Sequence, residues 1–498
     1  MMENFSNWVV EFFRTLFLDL WYLIQGFFTG LYNLFIGYPL AYYEQLMVSS
    51  SNYSFIDWAL TIGFIVIFIF LYIMFWLIVI QIIKRYFRFS KIEFDKMALL
   101  NQMNMLERKL RDSTVINIES PKLQNGERKS KNVQATGSRF TKLNLIDDKY
   151  KYSVLPTLMT NKDKLSLSEL ITHFINYASY HHNLYYSEKI ASIFIAGLAT
   201  SKILILEGIS GTGKTSLPYV FGKFIKKDTA IISVQPSWRD RYEMMGYYNE
   251  FTKKFNETEF LTSLYDATFR TDVNLIVLDE MNLARVEYYF ADFLSLLELP
   301  NSDEWLMEIV PEQLIGDPIN LKEGQLKIPK NVWFIGTANN DDSTFGITDK
   351  VYDRASSIVM NDKAKPFKGQ PLNEINLSFE YLDALFKEAY KLHEISNKNL
   401  VALEKLDGFI SETFQVTFGN RIMNQLYKFV PIYVACGRSE IEGIDYIIAR
   451  KIIRKFETLN LPFLKNELET LLTLFDSLFG KDALKESKAM IIKFIKQI

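Results

Sequence analysis

The sequence predicts an α/β domain built on a parallel sheet flanked by helices, followed by a helical C-terminal region and preceded by an apolar N-terminal segment. Three observations predict it. Short apolar runs at 203–206, 274–278 and 332–337 each end in glycine, acidic or amide residues, the pattern of buried parallel strands that deliver polar groups at their carboxyl ends. From Ser378 onward apolar residues recur at helical spacing, as Tyr381, Leu382, Leu385 and Ala389, then Leu468, Leu471, Leu472 and Leu478, with few glycines and prolines, which reads as a helical bundle. The stretch from Trp58 to Ile83 carries no charged side chain at all.

That last run, taken first in chain order, is long enough to cross the roughly 30 Å hydrocarbon layer at roughly 1.5 Å per residue and predicts a transmembrane helix at 58–83. Lys84, Arg85, Arg88 and Lys91 follow it, whereas Glu44–Asp57 contains neither Lys nor Arg. The asymmetry predicts a cell-membrane protein with everything after Lys84 in the cytoplasm. A second uncharged run at 20–43 contains Gln25, Asn33, three glycines and Pro39 beside Glu11, Arg14 and Asp19, which suits a second membrane segment or an interfacial helix equally. Residues 1–92 are therefore read as a membrane anchor. Phe94, Met97, Leu100, Met103, Leu106 and Leu110 predict an amphipathic helix over 93–111. Residues 112–160 turn polar and mildly basic through Lys122, Arg128, Lys129, Lys131, Arg139 and Lys142, and read as a flexible linker, with a nucleic-acid or lipid-headgroup contact left open. Over the whole chain the net charge is only -2, which excludes a global field for nucleic acid. The single cysteine, Cys436, excludes a disulfide framework and reads as core.

Residues 161–375 carry the chemistry. The strand 203–206 runs into Gly208-Ile-Ser210-Gly211-Thr212-Gly213-Lys214-Thr215-Ser216. Glycines at that spacing let backbone N–H groups close around phosphates, a lysine reaches the β/γ oxygens, and Thr215 offers its hydroxyl to Mg²⁺. After the strand 274–278 come Asp279 and Glu280, suited respectively to the Mg²⁺ shell and to orienting the attacking water. The strand 332–337 leads to Ala338-Asn339-Asn340, placing amides beside them. The pattern is that of a P-loop NTPase using ATP or GTP with Mg²⁺.

The stretches SGTGKTS, LDEMNLARVEYYFADFLSLLE and FIGTANNDDSTFGITDKVYDRA resemble the AAA+ ATPases of the group that includes MoxR, dynein, midasin and McrB-like modules, over roughly 165–456. The resemblance implies a sensor-1 role for Asn339, with Asn340 as the lesser candidate, and an arginine finger reaching a neighbouring subunit at Arg354. It implies a sensor-2 arginine of a helical lid at Arg421, within a lid and tail spanning 376–498, and a partner-touching loop element from Val234 to Gly246. Assembly with itself into a hexameric ring is implied too. The M-N-x-x-D-R motif of McrB proteins is not reproduced here, and a modified-DNA-reading domain is replaced by the anchor, so neither GTP preference nor restriction of methylated DNA carries over. Arg239 and Arg285 read as interface or ordinary surface, and His181-His182 as a surface pair rather than a metal site.

The expected function is a membrane-anchored NTPase ring that remodels or gates a protein client or effector subunit, in a bacterial anti-phage or restriction-like system. A MoxR-like chaperone assembling membrane complexes, and a slow nucleotide-controlled scaffold or switch, are the alternatives.

Overall fold

The computed structural model describes residues 2–50, 53–67, 70, 74, 138–209, 211–339, 344–361 and 364–497, in two compact units divided near 131. In the N-terminal unit, helix Met2–Tyr32 passes through a π-turn at Asn33–Gly37 into helix Tyr38–Ser49. Pro39 stands at the start of the second helix, where its missing N–H costs least. Trp21, Tyr22, Leu23, Phe28, Tyr42 and Tyr43 are all exposed. A further helical stretch covers 55–67, its start capped by Asp57, which accepts from the Ser54 amide and hydroxyl. Among the described residues no helix is long and apolar enough to cross a membrane. The predicted span 58–83 is described only at 58–67, 70 and 74, and the amphipathic helix expected at 93–111 lies outside the described residues.

The second unit is organised by a five-stranded sheet. In chain order its strands are β1 (Ile203–Gly208), β2 (Ala230–Ser233), then, after a hairpin β3 (Gly246–Asn249) and β4 (Lys254–Glu257), β5 (Asn274–Asp279). A small antiparallel sheet, β6 (Leu306–Glu308), β7 (Leu321–Lys322) and β8 (Gln325–Lys327), precedes β9 (Val332–Asn339) and β10 (Ser356–Val359). The large sheet has the order β10-β1-β9-β5-β2 and is parallel throughout. Side chains alternate between its faces with the period of two that a strand imposes. Leu204, Leu206, Leu275, Val277, Trp333 and Ile335 enter one core with helices Leu167–His182, Glu188–Thr200 and Ser216–Phe224. Ile203, Ile205, Ile276, Leu278, Val332 and Phe334 enter the other, with Phe260, Leu264, Phe290 and Phe293. Parallel register puts Gly208 opposite Asn339 and Ser233 opposite Asp279, so the polar strand ends share one edge.

The C-terminal helices, from Phe379–Leu392 to Lys485–Gln497, join the first of these cores without a break through Leu382, Leu403, Leu426, Phe429, Ile448 and Phe475. Cys436 lies in it, and burial pushes its thiol up to about 12.

One expectation is corrected. Within the predicted flexible linker 112–160, residues 138–160 are built into the second unit, with Lys142–Tyr150 helical. Arg139 makes a two-point ion pair with Asp317, at 3.0 Å from Nε and 2.6 Å from Nη2. Phe140 stacks on Phe255 at 4.9 Å between ring centroids. The helix start is capped from outside: the buried Glu257 carboxylate accepts the amides of Thr141, Lys142 and Leu143 at 2.7–2.8 Å. Polar composition concealed the docking because its few anchors find their partners more than a hundred residues away.

Candidate active site

The turn after β1 needs its glycines. Gly208 has φ +144°, and a Cβ there would stand 2.4 Å from the Met360 carbonyl oxygen; Gly211 and Gly213 sit at φ +80° and +89°, a region that L side chains adopt at a cost. The loop then feeds helix Ser216–Phe224, so its amides and the helix N-terminus face the same space. Lys214 is almost fully buried and folds back over the loop, donating to the carbonyls of Gly208 and Ile209, each at 2.9 Å. Ser210 lies outside the described residues.

The carboxylates of β5 meet this loop through a connected set of hydrogen bonds. Thr215 Oγ1 donates to Asp279 Oδ1 at 2.7 Å, and Thr337 Oγ1 donates to the same oxygen at 2.8 Å. Thr337 in turn accepts the backbone N–H of Glu280 at 2.8 Å. Glu280 has φ +54°, a sparsely populated conformation for a residue with a Cβ, and this amide bond holds it there with its side chain exposed at the mouth of the loop. Close behind, Gly336 lets Met281 pack against β9: a Cβ on it would overlap the Met281 sulfur at 1.8 Å. Asn282 fixes the end of β9, its side-chain amide donating to Asn339 O at 2.8 Å and accepting from Asn339 N at 3.3 Å. The Asn339 side-chain oxygen is buried and has no hydrogen-bond partner among the described residues, an arrangement that a ligand or an ordered water would satisfy. Asn340 lies outside the described residues. A hydroxyl and a carboxylate as hard oxygen donors, Thr215 and Asp279, fit a Mg²⁺ ion that keeps most of its own water.

Beside the loop opens a cavity of about 480 Å³ lined by Leu184, Tyr185, Tyr186, Gly213, Met360 and Pro366, within the usual size for a small-molecule site. The Tyr186 hydroxyl is buried there without a partner among the described residues, 3.7 Å from where a Cβ on Gly213 would stand, and burial keeps it protonated far above the ordinary phenol range. Sequence reasoning missed Tyr186 and Thr337. The only signal for Thr337 is parity: along β9 it shares a face with Asn339.

Arg354 and Arg421 are not with this group. Arg354 precedes β10, whose Ser356 pairs with Leu204 near the start of β1, so it stands at the amino edge of the sheet. The loop is at the carboxyl edge, about 17 Å away along the strand at about 3.3 Å per residue. Arg421, in the first turn of helix Gly419–Ala435, joins Arg354 there instead of the P-loop of its own chain. Both pair with Glu298, Arg354 Nε to Oε2 at 3.1 Å and Arg421 Nη2 to Oε1 at 2.8 Å.

No family model matches the chain, and no curated protein does. Among solved structures, a protein of Cytophaga hutchinsonii ATCC 33406, itself only provisionally named an ATPase, matches over 67% of this chain and 96% of its own at 14% identity, with a TM-score of 0.39. That likeness is too slight to bear on function.

The remaining predicted positions fall elsewhere. The loop element predicted from Val234 to Gly246 contains helix Arg241–Met245, capped by Asp240, and the β3–β4 hairpin follows it, with Phe251 fully exposed at its tip. Arg285 lies over Phe345 at 5.3 Å, and Arg239 is exposed. His181 and His182 pack on Tyr177, and no metal-binding cluster occurs among the described residues.

Proposed function

We propose that this chain is a Mg²⁺-dependent P-loop nucleoside triphosphatase that works between copies of itself, held at the cytoplasmic face of a membrane by its N-terminal segment. The observation that carries the hydrolase reading is the hydrogen-bonded set Thr215–Asp279–Thr337–Glu280 closed over a glycine loop with a buried lysine. Nothing about folding calls for that combination of charged and hydroxyl groups at one sheet edge.

The glycine-loop amides and Lys214 bind the β- and γ-phosphates. Thr215 and Asp279 are placed to hold the metal ion, which supplies charge neutralisation on the phosphate oxygens when bound. Glu280 orients the attacking water and takes its proton, and Asn339, whose amide oxygen is otherwise orphaned, fixes that water's second contact. Tyr186 and the cavity beside it receive the nucleoside. No group on this chain's amino edge can reach its own phosphates, so Arg354 serves a neighbouring copy. Membrane attachment is supported by the uncharged run at 58–83 and the basic residues after it. The anchored ring acts on a protein client, remodelling or gating it.

Hydrolysis of ATP and of GTP by the purified full-length chain, with assembly followed by sedimentation, tests the reading. Glu280→Gln should retain nucleotide binding and lose turnover by at least about 100-fold, and Arg354→Ala by on the order of 10³-fold. A wild type that binds nucleotide yet turns over no faster than Glu280→Gln when assembled would refute it.

A further inference from the structure

We infer that Glu298 is a positioning residue that presents Arg354 and Arg421 side by side to the phosphates of a neighbouring copy; the inference rests on the two-copy hydrolase reading. A single carboxylate takes one guanidinium on each oxygen, at 3.1 and 2.8 Å. Each arginine has five N–H donors in a planar fork. Arg354 approaches Oε2 of Glu298 through Nε, and Arg421 approaches Oε1 through Nη2. Two cations lining one cavity repel each other, and the carboxylate they share offsets that repulsion and holds the two side chains together.

The surroundings fit an anion. The cavity of about 580 Å³ around them is lined by Arg354, Arg421 and Lys428 against Glu298 and Asp353, a net positive lining; Lys202 also lines it, but burial disfavours its ammonium. The backbones are fixed independently of Glu298. The Ser201 hydroxyl donates to Arg354 O at 2.8 Å, and Gln425, on the helix that carries Arg421, donates to Asp353 O at 3.0 Å. What Glu298 alone determines is where the two side chains point. Stability is a poor explanation for it, since Arg421 is half exposed and ion pairs of that kind contribute little. Glu298 also ends the stretch that begins at Glu280, pinned into the core by Tyr289, Phe290 and Phe293.

The test is a double-mutant cycle on the full-length chain, comparing Glu298→Gln, Arg354→Ala and the pair. Readouts are turnover at saturating ATP, affinity for a fluorescent ATP analogue, assembly by sedimentation, and melting temperature. Glu298→Gln should lower turnover at least tenfold while nucleotide affinity stays within twofold of wild type and assembly and melting are unchanged; in the Arg354→Ala background the same substitution should cost clearly less than it does in the wild type. Turnover within twofold of wild type, effects that multiply in the double variant, or a loss that follows nucleotide affinity would overturn the assignment. If Glu298→Gln does not fold, Arg421→Ala replaces it in the cycle: effects that multiply with Arg354→Ala then overturn the paired arrangement, and non-additive ones uphold it. If Arg354→Ala keeps wild-type turnover, the two-copy reading fails first, and this inference with it.

Discussion

Thr337 donates to Asp279 Oδ1 and accepts the Glu280 amide, so one hydroxyl fixes both the proposed metal ligand and the backbone of the proposed base. Thr337→Val keeps the shape and removes both bonds, leaving the Glu280 N–H unpaired. The expected outcome is an apparent Mg²⁺ affinity for hydrolysis weakened about tenfold, as for other residues that orient a metal ligand, with the melting temperature lowered by a few degrees for the lost bonds; a Mg²⁺ titration of turnover that overlays the wild type would rule the role out. At this scale the sequence was informative where chemistry and spacing are local. Gly208 to Ser216 and Asp279-Glu280 can be read directly, because backbone geometry demands those residues within a few positions of one another. Thr337 is visible only through its alternation with Asn339. Glu298 gives no local signal, since both its partners come from elements far along the chain.

Among the elements, helix Glu440–Lys451 shows how the C-terminal helices hold the turn that bears Arg354. Lys451 is buried and donates to the carbonyls of Tyr352 and Ala355, while Lys455 pairs with Asp353 at 3.0 Å and Arg454 with Asp349 at 2.5 Å. Burial disfavours the ammonium and pushes Lys451 down to about 7, against the opposing pull of Asp353. Unfolded, it titrates near its usual 10.5. Between those values the unfolded chain binds the extra proton, so stability from this site rises with pH above about 7 and is lowest below it. Lys451→Met cannot titrate. Its melting temperature relative to wild type should be most favourable near pH 6 and fall steadily toward pH 9; a pH-independent difference would show that Lys451 does not titrate in this range. Three of the five strands of the large sheet, β1, β5 and β9, and the helical character of the C-terminal region were legible in the sequence, because continuous apolar runs and a 3.6-residue period are each a property of a short window. The docked segment at 138–150 was not. Its stability comes from Asp317, Glu257 and Phe255, and no window of the sequence contains both sides of those contacts.

For the whole molecule, the parallel sheet sets the relation between the two charged groups. All five strands point the same way, so the phosphate loop and the paired arginines are at opposite ends of the same strands, and one chain cannot bring them together by any rotation of a side chain. The sequence named both groups but could not tell that Arg421 belongs with Arg354, because that depends on how helix Gly419–Ala435 packs on the sheet. The separation has a genetic consequence. Under the proposed two-copy arrangement, Glu280→Gln is defective as the acceptor of arginines and intact as their donor, whereas Arg354→Ala is the reverse. Two inactive proteins should therefore complement each other. Co-assembled in equal amounts at random, roughly one interface in four joins an intact loop to intact arginines, and the mixture should recover about that fraction of wild-type hydrolysis. A mixture as inactive as its components would mean that each copy completes its site alone.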